Sequence, residues 1–161
     1  MRHFRALFLL TAALALAAIV AGTALAAHSV NFKGTYAGKV TEKQDGQTVT
    51  GLASGTGSGT VIGKGKLSGT VTGSTANPPC SPLNGPGTIT GPKGKMKVTV
   101  VNSRGCAASE EDQNSISLSG TAKVNGGTAM FKKAKGSLHF SGTYNRKSGV
   151  FNVKLTGRLT Y

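Results

Sequence analysis

Phe151-Asn152-Val153-Lys154-Leu155-Thr156-Gly157-Arg158-Leu159-Thr160-Tyr161 alternates without a slip. Phe151, Val153, Leu155, Gly157, Leu159 and Tyr161 fall on one parity, and Asn152, Lys154, Thr156, Arg158 and Thr160 on the other. Successive side chains of a strand point to opposite faces, so this stretch predicts a strand with one buried and one wet side. That division is characteristic of antiparallel sheet.

The same rule extends backwards along the chain. Leu138, Phe140, Gly142 and Tyr144 oppose Ser137, His139, Ser141 and Thr143. Ile116, Leu118, Gly120, Ala122 and Val124 oppose Ser117, Ser119, Thr121 and Lys123. Val30, Phe32, Gly34, Tyr36, Gly38 and Val40 oppose Asn31, Lys33, Thr35, Ala37 and Lys39. Weaker alternation at 47–54, 60–63 and 66–72 fills the Gly-rich first half, and further strands are read at 86–90 and 95–101. Asp45-Gly46, Asn84-Gly85, Asn125-Gly126 and Ser148-Gly149 supply turn chemistry. The count is eight or nine strands with no helix after residue 27.

Eight Gly-Thr dipeptides, beginning at Gly34, Gly55, Gly59, Gly69, Gly87, Gly120, Gly127 and Gly142, run through these segments. Thr favours a pleated backbone, and Gly within a strand marks a bend or a close approach. Gly34, Gly38, Gly120, Gly142 and Gly157 share the parity of the apolar residues. Missing side chains on an inner face let strands coil tightly, which favours closure into a small barrel over an open sandwich. Closure also removes exposed edges.

The first 26 residues read as a signal peptide. Met1-Arg2-His3-Phe4-Arg5 is a basic start, 6–20 is an apolar, Ala-rich run, and Ala24-Leu25-Ala26 is a small-x-small cleavage site. Cleavage there leaves residues 27–161 as one domain, destined for a secreted or periplasmic location, with 17 basic residues against 5 acidic ones. Cys80 and Cys106, the only two cysteines, are expected to pair in that oxidising space. They flank the open end of the hairpin turning at Gly91-Pro92-Lys93-Gly94. All five prolines lie between Pro78 and Pro92, in a segment read as loop, and Asn102 to Asn114 is read as a second loop holding Glu110-Glu111-Asp112.

Gly126-Gly127-Thr128-Ala129-Met130-Phe131-Lys132-Lys133-Ala134-Lys135-Gly136 resembles the Gly-Gly-Thr-x-x-Phe-x-x-Ala-x-Gly stretch of the allene oxide cyclase and dirigent families, with Ala129 and Lys133 where Gly is usual. Secreted bacterial proteins are similar there too. The resemblance extends over 116–161 and implies an eight-stranded antiparallel barrel with a central cavity. Those families place carboxylates inside the cavity. Here Glu42 and Asp45 are read at a hairpin and the other acids in a loop, so no catalytic residue is carried over.

The remaining chemistry is sparse. No nucleophile elbow, no phosphate-cradling loop before a helix, and no metal-ligand spacing is present. No catalytic, cofactor-binding or metal residue is assigned. His139 has outward parity. Nucleic acid is disfavoured as a partner, because nearly all aromatics have inward parity and single-strand binders stack bases on exposed rings. What stands out is charge. Lys33, Lys39, Lys95, Lys97, Lys123, Lys154 and Arg158 are candidate contacts to an anionic envelope polymer or lipid surface. Three functional classes follow: a non-catalytic, secreted basic barrel that associates with anionic envelope material; a cavity protein that binds or cyclises a small apolar ligand; and a small outer-membrane barrel.

Overall fold

A computed structural model describes residues 28–76, 78–109 and 111–161. The signal-peptide reading of residues 1–26 lies outside them. Eight strands follow one another: β1 (Ser29–Asp45), β2 (Thr48–Gly59), β3 (Gly63–Ser74), β4 (Cys80–Gly91), β5 (Gly94–Ala107), β6 (Ser115–Gly127), β7 (Lys135–Asn145) and β8 (Val150–Thr160). Each pairs antiparallel with its neighbours in sequence, and β8 pairs with β1, so the sheet is a closed up-and-down barrel. Among the described residues the one helical element is a three-residue 3₁₀ turn, Ala129–Phe131.

Closure carries a stagger. Partners traced from Val40 through Ala53, Gly69, Gly87, Val98, Val124, Gly136 and Leu159 return to β1 at Val30, ten residues before the start. A stagger of this kind tilts the strands against the barrel axis and sets the bore. Inward positions are those that the alternation predicts: Phe32, Tyr36, Ile116, Ala122, Val124, Leu138, Tyr144, Phe151, Leu155 and Leu159 are buried. Outward positions carry Lys, Ser, Thr and Asn, the reverse of the apolar outer band that a lipid-spanning barrel needs.

The meander gives the barrel two unlike ends. The β1–β2, β3–β4, β5–β6 and β7–β8 connections share one end, called here the mouth; the β2–β3, β4–β5 and β6–β7 connections share the other, the base. The base is packed solid by Phe32, Ile62, Met96, Phe131, Leu138 and Leu159. Phe131 is fully buried from the 3₁₀ turn, and its ring lies 5.7 Å from that of Tyr161.

Several boundaries differ from the reading of the sequence. Residues 60–62 form a turn that sends Ile62 into the base, and are not a strand. Asn84-Gly85 and Asn125-Gly126 lie within strands, the first at a register shift in the β4–β5 ladder. β4 runs straight through Pro82 and Pro86. It can do so because its pairing with β3 is thin there, with paired residues only at Thr72–Asn84 and again from Gly69–Gly87 onward. A proline removes a ladder donor only where the neighbour would have used it. β5 likewise continues past Val101 over a bulge at Asn102 (φ +49°), so only the residues between Ala107 and Ser115 remain as loop. Beside that bulge the Ser103 hydroxyl donates to the Val101 carbonyl (2.7 Å) and accepts from the Thr121 amide (3.2 Å). It occupies the space where a side chain at Gly120 would stand. Cys80 and Cys106 face each other across the β4–β5 ladder and are joined in a disulfide at the mouth.

Candidate ligand cavity

The inner wall of β2, β3 and β4 is built largely from glycine. Gly51, Gly55, Gly57 and Gly59 alternate inward on β2, Gly65, Gly69 and Gly73 on β3, and Gly87 and Gly91 on β4. Near the base, neighbouring side chains fill the space so created. A Cβ at Gly59 would meet the Phe32 ring at 2.5 Å, one at Gly57 the Tyr36 ring at 2.7 Å, and one at Gly91 the Ile62 side chain at 2.9 Å. Further up, the neighbours are the Phe151 ring at Gly55 (2.9 Å) and then aliphatic side chains, Val40 at Gly51 (2.8 Å) and Leu83 at Gly73 (3.1 Å). Gly51, Gly69, Gly73 and Gly87, with those side chains, line a cavity of about 300 Å³.

Leu67, Val98, Val100, Phe140, Val153 and Leu155 supply most of the apolar wall, and Ile89 and Ala122 adjoin the packed base. Phe140 therefore has the inward parity expected of it, but it faces a hollow and is only partly buried. The volume falls at the lower end of the range for small-molecule sites, which are concave, mainly apolar, and carry a few placed polar groups.

Those polar groups sit at the rim. Glu42, Tyr144 and Arg146 all line the cavity. The Arg146 Nε stands 3.6 Å from Glu42 Oε2. Burial, then the charge of Glu42 and the hydrogen bond that the phenol donates to it, push the Tyr144 hydroxyl up to about 12, with Arg146 pulling weakly the other way. Arg146 is also tied to the β5–β6 loop, its amide donating to the Asn114 carbonyl (2.8 Å) and its guanidinium to the Gln113 carbonyl (3.4 Å). That loop is closed on itself by Asp112, whose carboxylate accepts from the Ser115 and Asn114 amides (both 3.1 Å) and is held below the usual carboxylate range by the Ser115 hydroxyl foremost, then by the Ser115 and Asn114 amides.

The sequence reading missed this cluster. It assigned Glu42 to a hairpin, whereas β1 runs on to Asp45 and carries Glu42 at the inward parity of Val40. Extending the Val30–Val40 alternation by one more step finds it. Tyr144 and Arg146 share a parity in the same way, two residues apart at the end of β7.

Deeper in the core, Tyr36 is fully buried and its hydroxyl has no hydrogen-bond partner; burial pushes it up to about 12 as well. Among the described residues no three His, Cys, Asp or Glu side chains are grouped to hold a metal. His139 is exposed on β7, with Nδ1 3.5 Å from the Thr121 hydroxyl.

The seven basic candidates are all exposed, but they do not form one face. Lys33 and Arg158 lie near the base on adjacent strands β1 and β8, where Lys33 pairs with Thr156. Lys95 and Lys97 stand at the base end of β5 and Lys123 at that of β6, while Lys39 and Lys154 lie midway up the wall. No family model matches this chain, and no curated protein or solved structure does.

Proposed function

We propose that this barrel is a non-catalytic binding protein that takes a small, largely apolar molecule into its mouth end, with a polar group of that molecule held at the rim by Glu42, Tyr144 and Arg146. The single observation behind this reading is the hollow of about 300 Å³, walled by aliphatic and aromatic side chains and floored by a packed base. Interiors normally close to crystal-like density. A barrel that fills one half with rings and lines the other with inward glycines keeps space that folding alone does not require.

The rim supports the second half of the reading. Glu42 and Arg146 offer an acceptor and a donor set at the boundary between apolar wall and water. A molecule with an apolar body and one polar end matches that division. The resemblance to allene oxide cyclase and dirigent barrels agrees with a cavity reading. No step of chemistry is assigned: among the described residues that line the cavity, Glu42 is the one carboxylate and no histidine accompanies it.

Titration with a small apolar fluorophore, N-phenylnaphthylamine, tests this. Binding should be saturable and one-to-one. Ala53→Phe, which places a ring into the cavity from β2, should abolish it while the protein stays folded. A probe that binds the Ala53→Phe variant as well as the parent protein would show that the cavity is not the site.

A further inference from the structure

The charges of this barrel are sorted along its axis. Lys33, Lys64, Lys66, Lys93, Lys95 and Lys97 lie on the base half, as do Lys123, Lys132, Lys133, Lys135 and Arg158. Among the described residues no Asp or Glu side chain accompanies them: Glu42, Asp45, Glu111 and Asp112 all belong to the mouth half.

The base cations are spaced, not paired off. On the outer wall Lys66 and Lys95 flank Thr90, and Lys123 and Arg158 flank Ser137. Two strand spacings put such neighbours roughly 10 Å apart with only a hydroxyl between them. Four lysines, Lys123, Lys132, Lys133 and Lys135, border one shallow groove at the β6–β7 connection. No carboxylate among the described residues neutralises this field, which therefore acts on whatever approaches the base.

One apolar side chain stands in the middle of that field. Met130 is 44 % exposed, among the few large hydrophobic side chains turned to solvent. It is not a loose tip. Phe131 and Ala134, which follow it, are fully buried in the base, and before it the Thr128 amide donates to the Lys95 carbonyl (2.8 Å) while the Lys95 amide donates to the Thr128 hydroxyl (3.0 Å). Ala129 takes a left-handed conformation (φ +50°), which costs a non-glycine residue free energy and persists only where surroundings enforce it. The turn is thus a fixed platform with Phe131 inward and Met130, Lys132 and Lys133 outward.

We propose that the base docks on an anionic lipid surface, Met130 entering the boundary between headgroups and acyl chains and the surrounding lysines meeting lipid phosphates, so that the mouth faces away from the membrane. An anionic polymer would use the lysines alone. A rigidly presented thioether adds binding only where there is apolar matter to enter, and this favours the bilayer. The proposal is independent of any ligand in the cavity.

Co-sedimentation with phosphatidylcholine vesicles, with and without phosphatidylglycerol, tests it on the intact protein. Binding should require the anionic lipid and fall as salt screens the charges. Each lysine near such a surface changes partitioning by roughly five-fold, so K132E/K133E should lower it by more than about tenfold. K43E/K147E, the same charge change at the mouth, should lower it by less than about threefold. Met130→Ser should weaken vesicle binding and leave binding to soluble polyphosphate unchanged. Equal losses from the two charge-reversed pairs would reduce the effect to net charge and overturn docking by the base. Vesicle binding indifferent to Met130→Ser, or no preference for phosphatidylglycerol, would overturn a lipid occupant, the former in favour of a polymer.

Discussion

Arg146 Nε and Glu42 Oε2 approach to 3.6 Å across the mouth of the barrel, joining the end of β7 to the end of β1, strands that are not neighbours in the sheet. Both side chains are partly exposed, so the pair contributes little to stability, about 0–1 kcal/mol. Its consequence is local. The Glu42 charge and the hydrogen bond it accepts help to hold the Tyr144 phenol protonated.

Glu42→Gln should therefore lower the pH at which Tyr144 ionises, leaving burial as the main remaining cause of its upward shift. The absorbance of tyrosinate, followed through an alkaline titration of both proteins, checks this. The fold should survive, with a change in unfolding free energy of under about 1 kcal/mol. A titration curve unaltered by the substitution would separate Glu42 from Tyr144.

Tyr36 and Tyr144 both ionise near 12 in the folded protein, against 10 for an ordinary tyrosine. The folded state then binds more protons than the unfolded state between those two values. Stability is thus fully present below about pH 10 and is lost as pH rises toward about 12. Tyr36→Phe should flatten part of that loss, since a phenylalanine cannot ionise. At neutral pH the same substitution should stabilise the barrel by about 1 kcal/mol, because it removes a buried hydroxyl that has no partner. Urea melts at neutral and alkaline pH measure both effects, and a Tyr36→Phe protein weaker than the parent at neutral pH would mean that the hydroxyl is satisfied after all.

Phe32 and Phe140 have the same parity in the sequence and different surroundings in the barrel. Phe32 is packed against the glycines of β2 in the base, whereas Phe140 lines the hollow. Phe32→Ala should cost on the order of 3–5 kcal/mol. Phe140→Ala removes fewer contacts and only enlarges a space that already exists, so its cost should fall to roughly 1–3 kcal/mol. Lys154→Ala, on the outer wall, should change stability by less than about 0.5 kcal/mol. Denaturant midpoints of the three variants order the environments directly.

That contrast shows how much of the molecule was legible in the sequence. Period-two alternation at Val30–Val40, Ile116–Val124, Leu138–Tyr144 and Phe151–Tyr161 fixes strands and faces, because a single slip would turn an apolar set into water. It says nothing about whether an inward residue meets another side chain, which depends on the partner across the bore, so Phe32 and Phe140 look alike. The prolines of β4 misled because a proline reads as a break unless the state of its neighbour's ladder is known. Glu42 was readable by parity and was hidden only by ending β1 too soon. The sorting of charge along the axis depends on which turns share an end, and an up-and-down order of eight strands is needed before Lys64, Lys93, Lys132 and Arg158 can be placed together.

The Cys80–Cys106 bond closes a separation of 26 residues that contains the whole β4–β5 turn. Constraining the unfolded chain by a loop of this size stabilises the fold by roughly 3.5 kcal/mol on the chain-entropy estimate. The bond lies at the mouth, beside Pro79 and Ala107, whose backbone groups hydrogen-bond (2.9 Å) and which line the cavity rim. Replacing both cysteines with serine should therefore lower the unfolding free energy by about that amount. It should also speed hydrogen exchange first at the amides of Cys106 and Ala107, before those of the packed base around Phe131 and Leu138. Native-state exchange on the two proteins distinguishes this from uniform weakening. Equal acceleration at Leu138 and Ala107 would mean that mouth and base unfold as one unit, and that the disulfide acts on the whole barrel rather than on the rim of its cavity.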